Sequence, residues 1–211
     1  MRVNDGLKRL LCVYSIEPDS DIGLKLQVYL SLLEKWNQHI NLTANIDWVS
    51  LEPFFHEGIW AALKYPVDCT THLDIGSGAG FPAIILKLFN SQIELDIVES
   101  RAKKCAFLET VLWELGLTGA VVHMKRLEDM LASFDLEQKT WDCVSWKAVR
   151  LTNRDLQRLY DKSSKKTQLW MFHGTQAPVE DARAFFDKFI ITDKLPVPGL
   201  KQSFLSILRP R

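Results

Sequence analysis

The stretch "THLDIGSGAGFPAI", residues 71–84, limits what this chain can fold into more than any other. An apolar, strand-like run ends at Asp74 and Ile75, three glycines follow at alternate positions, and an apolar helical pattern resumes. Glycine adopts positive φ readily and lets backbone approach a ligand closely. A plain tight turn rarely needs three of them in five positions. In an open α/β sheet, ligands bind past the carboxyl ends of the strands, where a helix N-terminus offers free N–H groups. The loop at 76–80 therefore reads as a ligand-binding loop between a first strand and the helix after it.

The rest of the pattern agrees with such a sheet. After Pro66, strand-like runs at 71–75, 93–98, 120–124, 141–146, 168–172, 188–195 and 203–209 alternate with helical stretches at 81–89, 101–116, 126–132, 152–162 and 178–187. Buried apolar strands alternating with helices point to a mostly parallel, seven-stranded sheet covered on both faces. The last two strands are separated only by "PVPG" (196–199), which leaves no room for a crossover helix, so they are expected as an antiparallel pair at one end. Ahead of this α/β unit, residues 5–16, a long helix carrying Val28, Tyr29, Leu32, Leu33, Trp36 and Ile40 on one face, and a third helix over most of 48–64 read as helical. Asp19 or Ser20 is the expected N-cap of the long helix, and Pro53 is expected in the first turn of the third. The expected organisation is a helical cap at 1–66 and a doubly wound α/β domain at 67–211.

Composition excludes little. With 211 residues, 47% hydrophobic, the chain can bury one sizeable core. Its 26 basic and 26 acidic residues cancel, so any nucleic-acid surface must be local. The four cysteines form no CxxC pair, which reads as a reduced, cytoplasmic protein. No signal peptide and no run of about 18 apolar residues is visible, so no membrane association is expected. His56, His123 and His173 are too scattered to read as metal ligands, and no Ser-His-Asp or Cys-His arrangement stands out.

The glycine spacing is G-x-G-x-G rather than the dinucleotide pattern G-x-G-x-x-G, which argues against a nicotinamide dehydrogenase. "IELDIVES" (93–100) ends in Glu99, about 20 residues past the loop, where a ribose-binding acid falls. D-x-G-x-G-x-G with a strand-end acid resembles class I (Rossmann-like) S-adenosylmethionine-dependent methyltransferases. That resemblance implies S-adenosyl-L-methionine as cofactor, held by Asp74, Gly76, Gly78, Gly80, Phe81, Glu99 and Ser100. Asp74 would organise the loop or reach the methionine ammonium through water. Arg126, Leu127 and Glu128 stand where this class reads the adenine, although "RLED" (126–129) can equally be a helix start.

Several stretches together resemble one narrower family, the bacterial small-subunit ribosomal RNA guanine-N7 methyltransferases, also called glucose-inhibited division protein B. "LEKWNQHINLTANID" (33–47) is similar to its W-N-x-x-x-N-L-T signature through Trp36, Asn37, Asn41, Leu42 and Thr43. "LDIGSGAGFPAI", "VESRAKKCAFLETVLWELGL" (98–117) and "LPVPGL" (195–200) are similar to its cofactor loop, its second-strand segment and its final turn. Read from the residues alone, Trp36 is either helix-face core or a stacking platform, and Asn37, Asn41 and Thr43 either cap a helix end or serve a pocket. The resemblance implies ribosomal RNA within a 30S subunit or assembly intermediate as partner, no metal, and a monomer. It makes Asn41, His56, Lys147, Arg150, His173 and Lys201 the candidate substrate contacts, with no residue acting as a catalytic acid or base. The chain departs from the family on that side: Phe55 replaces an arginine before His56, Lys147 stands for an arginine, and Ser203 falls where another arginine is usual. A class I methyltransferase acting on another RNA or a small molecule is the alternative these departures leave open, and a protein that senses the cofactor without catalysis is a further one.

Overall fold

Strand order follows from which segments can lie buried on both faces. The computed structural model describes residues 4–133, 140–175 and 182–211, where β1 (Thr71–Ile75), β2 (Glu94–Glu99), β3 (Ala120–Met124), β4 (Cys143–Lys147), β5 (Gln168–His173), β6 (Phe189–Pro196) and β7 (Phe204–Pro210) form one sheet in the order β3-β2-β1-β4-β5-β7-β6. The first five are parallel, and β7 runs antiparallel to both β5 and β6. The short connection at 197–203 allows only that antiparallel return.

Alternation along the central strands sends side chains to two cores. Leu73, Ile75, Val144, Trp146, Leu169 and Met171 pack on one face, with α6 (Leu127–Ser133), α7 (Asn153–Asp161) and Phe185 of α8 (Ala182–Lys188). Leu95, Ile97, Cys143, Trp170 and Phe172 face the other way. That second face is covered by α4 (Ala83–Phe89), α5 (Ala102–Glu114) and the N-terminal helices α1 (Asp5–Val13), α2 (Asp21–Asn37) and α3 (Trp48–Ala62). The N-terminal helices share one continuous apolar cluster with the sheet: Tyr29, Phe55 and Phe81 pack with ring centroids 5.2–5.5 Å apart. Trp36 is part of this cluster, edge-on to Phe107 at 5.8 Å.

The ends of the helices follow capping chemistry. Ser20, not Asp19, caps α2 by accepting from the Gly23 N–H, and Thr152 with Asp155 forms a reciprocal capping box on α7. Pro53 is a correction to the expected position. It is the sixth residue of α3, beyond the first turn, because Asp47 caps the helix at Trp48. The Pro ring leaves the Val49 carbonyl without its helical donor, and Val49 is exposed, so water can serve that carbonyl. The helix expected at 178–187 is described only from Ala182 onward; 176–181 lie outside the described residues.

Candidate active site

The glycine loop leaves β1 with Gly76, Gly78 and Gly80 at φ of 68°, 58° and 94°. A Cβ at Gly76 would lie 2.4 Å from Val149, and one at Gly80 would lie 2.6 Å from Ile84 and 2.9 Å from the Tyr29 hydroxyl. Those two glycines are demanded by packing. At Gly78 a Cβ would meet nothing closer than the Lys104 Nζ at 3.6 Å, so this residue faces open space. Phe81 is buried under the loop's far end.

Beneath the loop runs a buried chain of polar groups. Asp74 and Ser145 are register partners on β1 and β4, and Asp74 accepts hydrogen bonds from the hydroxyls of Ser145 and Ser77. Ser145 Oγ is 2.7 Å from His72 Nε2, and His72 Nδ1 is 2.9 Å from the Tyr65 hydroxyl. Burial pushes the His72 pKa down to about 3, so this ring is neutral. Burial also raises the Asp74 carboxyl to about 6, against the two hydroxyl donors that favour its charged form and with Glu99 adding to the rise. Asp74 therefore holds the loop from below through Ser77, with a relative exposure of only 1%.

Three cavities lie in a row past the carboxyl ends of the strands. The first, about 420 Å³, is lined by Glu99, Ser100, Arg126, Leu127, Glu128 and Arg150. Glu99 is nearly buried; its carboxylate accepts from the Gly78 N–H at 3.1 Å and the Arg101 N–H at 2.9 Å, so it ties the strand end to the glycine loop. The second, about 530 Å³, is lined by Thr43, Phe54, Gly76, Gly78, Phe81 and Lys147, and meets the first across Gly76 and Val149. The third, about 540 Å³, lies at the ends of β4 and β5, lined by Phe54, Glu57, Lys147, His173, Lys201 and Ser203. It shares Phe54, Lys147 and Ala148 with the second. Ala148 itself holds φ of 56°, rare for a residue with a Cβ, at the bend that carries the chain between the two.

The candidate residues divide by location. Lys147, His173 and Lys201 come together around the third cavity, whereas Arg150 opens onto the first, beside Glu99. Asn41 is exposed in a separate cleft of about 390 Å³ with Arg101, Lys103 and Lys104, and Lys104 also borders the second cavity. Asn37 accepts from the N–H groups of Leu42 and Thr43 and shapes the loop that puts Thr43 at the second cavity. His56 lines none of these spaces; it packs edge-on to Tyr14 at 5.4 Å, and its Nε2 is buried without a hydrogen-bond partner. His173 accepts from or donates to Ser206 Oγ at 2.8 Å and sits 2.7 Å from the Gly174 carbonyl, which makes Nδ1 the protonated nitrogen of the neutral ring; burial lowers its pKa.

Glu57 is the residue that sequence reasoning missed. It is almost fully buried, its Oε1 pairs with the Lys147 ammonium, and its Oε2 accepts from the Ser203 hydroxyl at 2.7 Å. Lys147 also lies 4.4 Å over the Phe54 ring. The signal was an acid set in the apolar run "FFHEGIW", where burial without a partner would be costly. Among the described residues no three His, Cys, Asp or Glu side chains are grouped to hold a metal ion, and no helix is long and apolar enough to cross a membrane.

A parallel sheet with an antiparallel final hairpin, a glycine loop after its first strand and an acid at the end of its second define the class I methyltransferase fold. Solved structures of that shape include a mutant of MtNAS in complex with S-adenosylmethionine (TM-score 0.58, 15% identity, 97% of this chain and 82% of that one) and the ribosomal protein L11 methylase of Lactobacillus delbrueckii (TM-score 0.58, 12% identity, 75% and 79%). Residues 23–201 match the family model for rRNA small subunit methyltransferase G, and the chain belongs to that family. Its relatives include ribosomal RNA small subunit methyltransferase G of Desulfitobacterium hafniense, 37% identical over 64% of this chain and 56% of the relative, and that of Wolinella succinogenes, 34% identical over 58% and 63%. The matched segments thus span little more than half the length of these relatives; with the protein of Bartonella bacilliformis, 30% identical, the match reaches 74% of this chain and 71% of the relative.

Proposed function

We propose that this chain transfers a methyl group from S-adenosyl-L-methionine to N7 of a guanine in small-subunit ribosomal RNA. The observation that carries this reading is the row of three joined cavities, acid-lined, glycine-lined and aromatic-walled, along the carboxyl ends of the strands. The residues present fit the cofactor. Glu99 offers a carboxylate for ribose hydroxyls, Ser100, Arg126, Leu127 and Glu128 surround the place of the adenine, and Gly78 leaves free the space a side chain would fill along the methionine. The third cavity, with Phe54, Phe172 and a neutral His173, suits a purine ring.

When bound, the cofactor supplies an electrophilic methyl group on a sulfonium. Guanine N7 carries a lone pair in the neutral base, so no proton has to leave before attack and no general base is required. The chain's part is then to align the acceptor and exclude water, which can supply much of the rate. Arg101 and Lys103 are exposed in the cleft with Asn41, which supports contact with RNA phosphates and binding that weakens with salt. The partner is a 30S subunit or an assembly intermediate, met by a monomer in the cytoplasm.

Nucleoside mapping by mass spectrometry of ribosomal RNA, with and without the gene, tests the reading: one 7-methylguanosine should vanish from the small-subunit RNA. A second reading, methylation of another RNA or a small molecule, is favoured by one observation. Lys147, which stands for a substrate-binding arginine, is held by Glu57 and Ser203 lies beyond it, rather than either offering a free guanidinium fork. An unchanged 7-methylguanosine content with intact cofactor binding would select that second reading.

Glu99→Gln carries a separate expectation. It puts an amide where two backbone N–H groups need acceptors, and it removes the charge offered to the ribose. Affinity should fall by about 1–3 kcal/mol, the worth of hydrogen bonds to a charged group. The loss should be equal for S-adenosylmethionine and S-adenosylhomocysteine, whose ribose is the same. Calorimetric titrations indistinguishable from wild type would remove Glu99 from the site.

A further inference from the structure

The wall between the second and third cavities holds a buried ion pair. Lys147 and Phe54 border both spaces, and the Glu57 carboxylate behind them binds Lys147 on one oxygen and Ser203 on the other. The side chains of Lys147 and Glu57 are 22% and 4% exposed, so water screens their charges little. Two charges drawn into such a place seldom stabilise a fold better than apolar residues of the same size. Their presence at this wall calls for another account.

The reaction proposed above moves a charge across that wall. The bond between sulfur and the methyl carbon breaks with its electron pair left on sulfur, while the N7 lone pair forms the new bond to carbon. A sulfonium becomes a neutral thioether, a neutral guanine becomes a 7-methylguaninium cation, and no proton moves. One positive charge passes from the second cavity toward the third. A bare ammonium in the wall would oppose both the bound sulfonium and the developing cation.

We propose that Glu57 is an electrostatic positioning residue that cancels the field of Lys147 along the path of methyl transfer, so that this wall is neutral where the positive charge crosses it. The inference rests on the methyltransferase reading. Other cations border the same spaces without the same effect. Lys201 is exposed and screened, Lys104 is half-buried beside Gly78 and does not line the third cavity, and burial disfavours the charged form of His173. Glu57 is the one acid lining the third cavity among the described residues.

The test uses Glu57→Gln, Lys147→Met and the double variant in the full chain. Calorimetry measures affinity for S-adenosylmethionine, a cation at sulfur, and S-adenosylhomocysteine, neutral there. Glu57→Gln keeps an acceptor for Ser203 but leaves Lys147 unbalanced, so it should weaken S-adenosylmethionine at least threefold relative to S-adenosylhomocysteine. Lys147→Met should shift that ratio the other way, and the double variant should return it to within twofold of wild type. In single-turnover transfer to small subunits from cells lacking the gene, Glu57→Gln should slow the reaction at least tenfold and the double variant should recover most of the loss. An unchanged ratio in Glu57→Gln, or a double variant no faster than Glu57→Gln alone, overturns the proposal and makes the pair a structural tie. If Glu57→Gln does not fold, Lys147→Met decides alone, and an unchanged ratio there is fatal. Should the ratios move as expected while even the wild type methylates no ribosomal RNA, the charge assignment stands and the acceptor reading falls.

Discussion

Gly78→Val is expected to leave the protein folded and abolish measurable binding of S-adenosylmethionine. Gly78 sits at φ of 58°, and the space beyond its Cα is empty of protein out to the Lys104 ammonium at 3.6 Å. The new side chain would meet no wall, so the fold bears only the left-handed backbone, about 1–2 kcal/mol for a residue with a Cβ. That is a modest fraction of the roughly 5–15 kcal/mol that holds a domain together. The valine methyls would instead stand in the space proposed for the cofactor, and the Gly78 N–H that Glu99 accepts would be displaced with the strained loop. A loss of at least about a hundredfold, roughly 2.7 kcal/mol, is expected by calorimetry, alongside a melting curve that remains cooperative. Gly80→Val should behave oppositely, since its Cβ would strike Ile84 and Tyr29: the fold itself should fail. A folded Gly78→Val protein with wild-type affinity would mean that this loop does not carry the cofactor.

The buried chain under the loop gives the second large expectation, a pH dependence with two opposing parts. His72 is neutral in the fold, with its pKa lowered from 6.5 to about 3. Between those values the unfolded chain binds the extra proton, so stability is lost as pH falls from about 6.5 toward 3, by roughly 5 kcal/mol at 1.36 kcal/mol per unit. Asp74 works the other way. Its pKa is raised from 3.8 to about 6, so between those values the folded state holds the extra proton, and its contribution grows as pH falls from about 6 toward 4. That part is worth roughly 3 kcal/mol, a cost of keeping the buried carboxylate ionised at pH 7. The net result is acid lability, moderated by Asp74. Asp74→Asn removes the moderating part. Relative to wild type, the variant should gain stability at pH 7 over pH 4 by about 3 kcal/mol, measured by urea denaturation at both values. A difference between variant and wild type that stays flat across this range would show that Asp74 is ionised at little cost.

Much of the architecture was legible in the chain because it depends on local period and punctuation. Every strand from 71 to 209 lies within one or two residues of where its apolar run begins and ends, and the antiparallel final pair follows from a connection too short to cross the sheet. The glycine loop and Glu99 were legible for the same reason: each is marked by spacing relative to a strand end. Pro53 was misplaced because the start of its helix is fixed by a cap, Asp47 accepting from the Ser50 N–H, which puts Trp48 first and Pro53 sixth.

What the amino-acid order determined by itself is the class I methyltransferase fold, its loop and the acid at the second strand, since these are announced by local period, by turn residues and by spacing from a strand end. The lining of the third cavity was decided only by tertiary structure. Glu57, Lys147 and Ser203 are brought from α3, β4 and the turn before β7, separations of 90 and 146 residues, and no local pattern announces that they meet. The same holds for Arg150, which lies three residues from Lys147 yet opens onto a different cavity because the chain bends at Ala148. A charge is read from the sequence, but whether it is free to bind a phosphate or is neutralised by a buried partner depends on which distant segment packs against it.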